Sequence, residues 1–223
     1  MRVVDLRGKP LTAASVAASA PRFLANDSSA SQEVGALLNS IQKVGIDAVN
    51  QASLKFDGFI PDPIWAQPAE FSDALAGLDS QLRMAIERSI ESVRLVSRAG
   101  LSRLADVEPV AGGRVSTRHV PVDSVGLYVP GGKAIYPSSV VMNVVPAQVA
   151  GVRRLVIATP GQKQFGGRPH PTVLATAKLL GIESVLVIGG PAAIGAFAYG
   201  LDDILEPVDL ITGPGNILSL IHI

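Results

Sequence analysis

The chain has 223 residues, 48% of them hydrophobic and 17% charged, with 19 acidic and 19 basic side chains. That balance excludes a disordered tail and leaves a general nucleic-acid binder without its basic excess. Cysteine is absent, which removes disulfide frameworks, thiolate metal sites and cysteine nucleophiles together.

The N-terminus, MRVVDLRGKPLTAAS, has no continuous apolar core of signal-peptide length. From Ser28 to Gly100 the pattern is helical. Val34, Leu37, Leu38 and Ile41 recur at helical spacing, and so do Leu82, Ile86, Ile90 and Val93. Pro61, Pro63 and Pro68 interrupt the chain between these helices. Asp106–Val122, with Gly112 and Gly113, reads as a hairpin in which His119 is a solvated strand residue.

From Asp123 onward, short β-branched runs alternate with apolar helical runs. Strands are predicted at Val125–Val129, Leu155–Thr159, Val185–Ile188 and Val208–Thr212. Helices are predicted at Ser139–Ala150, Pro171–Leu180 and Ala192–Tyr199. Successive strand starts lie 30, 30 and 23 residues apart, close to the length of a βαβ unit. The strands show little polar alternation, which predicts a parallel sheet covered on both faces. Ala134–Val152 and Ser184–Leu201 are uncharged but interrupted by proline, glycine or amides, so they read as strand-plus-helix pieces, not membrane spans.

Every predicted strand ends in glycine and proline: VPGGKAIYPSS, TPGQ, GGPAA and GPGN. Ligands of open parallel sheets bind beyond these ends, where glycine admits close backbone approach and helix N-termini present free N–H groups. Ser138 and Ser139 are placed to cap the helix after Gly131 and Gly132. Neither a G-x-G-x-x-G fingerprint nor a Walker loop is present, so a nucleotide site here is a non-standard one. His119, His170 and His222 form no local zinc motif. His170, between two prolines, reads as a neighbour of a helix cap, and Gln162–Pro169 as an exposed, mobile connection.

The segment VDSVGLYVPGGKAIYPSSVVMNVVPAQVAGVRRLVIATP, followed by VIGGPAAIGAFAYG and PVDLITGPGNI, closely resembles histidinol dehydrogenases. The resemblance covers essentially Arg2–Ile217, most specifically Gly126–Pro160 and more loosely in the N-terminal half, which includes KFDG. The resemblance implies an aldehyde-dehydrogenase-like α/β fold: incomplete Rossmann-like domains with parallel βαβ units and a helical N-terminal half. It divides the chain into an extension over 1–20, the first part of an interrupted α/β domain over 21–125, and a Rossmann-like NAD-binding domain over 126–217.

It further implies a cytoplasmic, zinc-dependent homodimer that oxidises L-histidinol to L-histidine via histidinal with two NAD, with no nucleic-acid or membrane partner. NAD contacts carried over from the family fall on Tyr128 and Asn216. The family's turn glutamine falls on Ala192, whose side chain cannot hydrogen-bond. No catalytic or metal residue is assigned, because the family's zinc ligands and glutamate–histidine pair follow GPGN. The chain alone is therefore expected to be inactive, with some apolar helix faces lacking partners. Leu218–Ile223, LSLIHI, back-translates as CTG TCT CTT ATA CAC ATC, which resembles a transposon-end sequencing adapter, so these six residues are expected to be an artefact. The alternative is a non-catalytic α/β nucleotide-binding module. An aldehyde dehydrogenase proper would need a cysteine.

Overall fold

The computed structural model describes residue 12 and residues 28–101, 106–131 and 135–214. The expectations for Asn216, His222 and Leu218–Ile223 fall outside these residues.

Four helices come first: α1 (Ser28–Val44), α2 (Ile46–Phe56), α3 (Pro68–Ala76) and α4 (Ser80–Ala99). In α1 the spacing buries Val34, Leu38 and Ile41, and Gly45 at φ 54° ends the helix. Pro68, expected only to break the chain, instead starts α3 at a position where its missing N–H costs nothing. A capping box secures that end, with the Gln67 N–H donating to Glu70 Oε2 at 2.6 Å. Asp79 caps α4 by accepting from the Gln81 and Leu82 N–H groups at 3.0 and 2.9 Å. Ile86 and Ile90 are the buried stripe of α4, while Met84, Leu95 and Val96 stay 61, 72 and 71% exposed, leaving an uncovered apolar face.

The hairpin is shorter than its alternation predicts: β1 (Val107–Val110) pairs antiparallel with β2 (Gly113–Val115). Residues 116–123, including His119, are exposed and carry no strand. Without a face to bury, alternation alone does not hold a strand in the ladder.

The second half alternates strand and helix: β3 (Ser124–Tyr128), α5 (Pro137–Ala150), β4 (Arg154–Thr159), α6 (Pro171–Leu179), β5 (Val185–Val187), α7 (Gly190–Tyr199) and β6 (Leu210–Thr212). The four strands form one parallel sheet in the order β5-β4-β3-β6. One edge is covered by the segment around Trp65, where the Ala66 N–H donates to Val185 O at 2.9 Å and the Val187 N–H to Ile64 O at 2.8 Å. Asp209 ties β6 to β3 by accepting from both the N–H and the hydroxyl of Ser124 at 2.8 Å.

Alternate strand residues feed two cores. Val125, Leu127, Leu155 and Ile157 pack with α5, α6 and the Phe71, Ile86 and Ile90 side chains of α3 and α4. Val156, Ala158, Leu186 and Ile188 pack with α7 and with Ile41 and Val49 of α1 and α2. Burial on both faces explains why β3, β4 and β5 read as apolar runs, while the edge strand β6, expected to be covered as well, is largely exposed. The N-terminal helices thus cover the sheet on both sides.

Two local expectations need correction. Ser138 and Ser139 do not cap α5: the helix starts at Pro137, Tyr136 is its N-cap, and no side chain caps it. Gln162–Pro169 is not a loose connection. It holds a 3₁₀ turn at Lys163–Phe165, and Gly167 and Pro169 are buried. Arg168 straps it down, donating to both Glu70 oxygens at 2.8 Å, to Trp65 O at 2.9 Å and to Pro63 O at 2.5 Å. A Cβ at Gly167 would lie 2.8 Å from the Phe59 ring, so the loop is packed as well as strapped.

Candidate functional site

The carboxyl ends of β3, β4 and β5 open into a crevice of about 560 Å³ beneath α1 and α2. Its floor is Tyr128, Gly131, Pro160 and the Gly189–Ala192 start of α7. Its apolar wall includes Val34, Leu37 and Ala52. Two of the three residues singled out for cofactor binding, Tyr128 and Ala192, therefore share one cavity. Ala192 is 3% exposed in the first turn of α7 and places only a methyl group there. Asn216 lies outside the described residues.

Tyr128 is fixed from both ends. Asn143, buried in α5, donates from Nδ2 to its carbonyl at 3.2 Å, and its hydroxyl accepts the Gly190 N–H at 3.1 Å. Burial holds the phenol above its ordinary value of 10.0; the Gly190 N–H opposes this shift and the Asp57 charge adds to it. Near neutral pH the hydroxyl is therefore a neutral donor, with its hydrogen free for a ligand.

Glycine keeps this edge open. A Cβ at Gly131 would stand 2.7 Å from Pro160 Cγ, and one at Gly189 2.7 Å from Pro160 Cβ. Both positions need the bare backbone that a ligand lying across the strand ends also needs. This cradle, with a neutral phenol and a helix start, fits a dinucleotide.

Sequence reasoning did not single out Asp57 within KFDG. It ends α2, lines the crevice and is half-buried. Burial pushes its carboxyl above 3.8, with the Lys163 ammonium opposing. Nothing local marked it, because the fold alone brings it to Tyr128.

His170 stands apart from the crevice. It is the N-cap of α6, with Nδ1 accepting the Thr172 N–H at 3.1 Å and its ring edge-on to Phe165. Burial lowers its basicity. Among the described residues no three His, Asp or Glu side chains gather to hold a metal. These residues do not fit a zinc site. No described helix is long and apolar enough to cross a membrane.

The comparisons with known proteins agree with one another. The family model described as histidinol dehydrogenase matches residues 21–219. Histidinol dehydrogenases of Thermobifida fusca and Nocardia farcinica are each 47% identical over 96% of this chain, which covers 48% and 49% of those proteins. The crystal structure of histidinol dehydrogenase from Elizabethkingia anophelis superposes with a TM-score of 0.80 at 28% identity, over 85% of this chain and 43% of that one. The chain thus spans about half the length of the curated relatives it matches. The family model spans most of the chain and the solved structure shares its fold, so the chain belongs to the histidinol dehydrogenase family.

Proposed function

We propose that this chain forms the NAD-binding portion of an enzyme that oxidises L-histidinol to L-histidine through histidinal, using two NAD. The observation that carries the reading is the convergence of Tyr128, the Gly189–Gly190 turn and Ala192 on one crevice at the sheet's carboxyl edge. When bound there, NAD supplies the hydride acceptor. The chain's own contributions are the Tyr128 hydroxyl as a neutral donor, bare backbone at Gly131 and Gly189, and an apolar wall that excludes water. The cytoplasm, a homodimeric state and zinc dependence belong to the same reading, as does the absence of nucleic-acid and membrane partners. No step is assigned to zinc, since the described residues do not form its site.

The test is NAD affinity in the wild-type chain and three variants, measured by calorimetric titration. Tyr128→Ala removes a ring and a donor, and Asn216→Ala removes a donor and an acceptor. Each should cost about 0.5–1.5 kcal/mol, a several-fold rise in the dissociation constant. Ala192→Gln should tighten binding, because it places an amide at the start of α7. Weaker binding by Ala192→Gln together with unchanged binding by Asn216→Ala would contradict the assignment of these contacts.

A further inference from the structure

Asp57 is a carboxylate whose place the fold does not explain. It lines the crevice, half-buried, and among the described residues no group donates a hydrogen bond to its side chain. Its backbone does the structural work at that position: the Asp57 N–H donates to Ser53 O at 2.8 Å and closes α2 in ordinary helical conformation. A carboxylate partly withdrawn from water without a hydrogen-bond donor costs free energy that the nearby Lys163 charge only partly offsets, and a ligand that donates to it offsets more. Its surroundings are those of a ligand site. A Cβ at Gly189 would stand 3.5 Å from Asp57 Oδ2, so that oxygen faces the bare backbone of the GGPAA turn. The Tyr128 phenol is close enough to sense its charge.

Building on the dinucleotide reading of the crevice, we propose that Asp57 accepts hydrogen bonds from the cofactor's ribose hydroxyls and selects NAD against NADP. A ribose diol donates two O–H groups, which a carboxylate accepts. A 2′-phosphate donates none when fully ionised and brings like charge against Asp57. The same chemistry serves dinucleotide sheets whose acidic residue follows a strand; here it comes from the end of an N-terminal helix. Lys163 sharpens the test. A Cβ at the neighbouring Gly58 would stand 3.1 Å from Lys163 Cε and Nζ, so an ammonium lies beside the carboxylate. Without the Asp57 charge, that ammonium is left to attract phosphate.

The experiment titrates NAD and NADP separately into the wild-type chain, Asp57→Asn and Asp57→Ala, with a thermal melt of each to verify folding. Asparagine keeps the shape and suits a helix end. The wild type should prefer NAD by about tenfold or more, and both variants should bring the two constants within about threefold, NAD weakening and NADP tightening. If NAD binds the wild type but the NAD-to-NADP ratio survives in both folded variants, the role of Asp57 is wrong and the crevice reading stands. If the wild type binds neither nucleotide, the crevice reading is wrong and the role of Asp57 falls with it.

Discussion

Phe197→Ala is expected to cost about 3–5 kcal/mol of folding free energy, measured by urea denaturation. Phe197 is fully buried in the core between the sheet and α7, and its ring lies directly over Gly126 of β3. A loss of that size is a large part of the stability of a typical domain. The reciprocal change tests the same contact. A Cβ at Gly126 would lie 2.5 Å from Phe197 Cγ and 2.7 Å from the two Cδ atoms, so Gly126→Ala should cost about 1–3 kcal/mol by overpacking. The two changes occupy one space. The double variant should therefore lose clearly less than the two single losses combined, and simple additivity would show that the ring does not sit over Gly126.

Arg168→Ala should cost about 2–3 kcal/mol, because it takes the donor away from the Glu70 carboxylate and from two backbone carbonyls at once. The Arg168 and Glu70 side chains are only 20 and 25% exposed, so solvent screens the pair little. Arg168→Lys keeps the charge but not the fork and should recover part of the loss. The pair also predicts a pH dependence. The hydrogen bonds from Arg168 hold the Glu70 carboxyl below its ordinary value of 4.5 in the folded chain. The stability this contributes is present above pH 4.5 and is lost as pH falls through the lower folded value. Denaturation midpoints recorded from neutral pH downward should show a shallower acid limb in Arg168→Ala than in the wild type. Parallel limbs would contradict the assignment.

β3, β4 and β5 are legible because both faces of each are buried, which writes them as apolar runs at regular spacing, whereas the edge strand β6 is largely exposed. Helix starts were less legible. Ser138 and Ser139 are good capping residues, yet α5 begins at Pro137, whose fixed φ suits the first turn without a side-chain cap. The loop Gln162–Pro169 has the composition of a mobile connection, but its order comes from a pairing across 98 positions, Arg168 with Glu70, which no local pattern displays. Among the site residues, the glycine-rich strand ends locate the crevice, while Tyr128 and Ala192 follow only from the family resemblance. Asp57 was hidden because its significance arises only where α2 meets the sheet edge.

If NAD occupies the crevice between α1, α2 and the strand ends, its binding must perturb the backbone there. Backbone amide chemical shifts recorded during an NAD titration test it directly. Saturable shifts are expected at Gly131, Gly189, Gly190 and Ala192, with little change at Gly77, Asp79 and Leu174, which line a separate cavity between α3 and α6. Shifts confined to that second cavity, or none at the strand ends at saturating NAD, would contradict it.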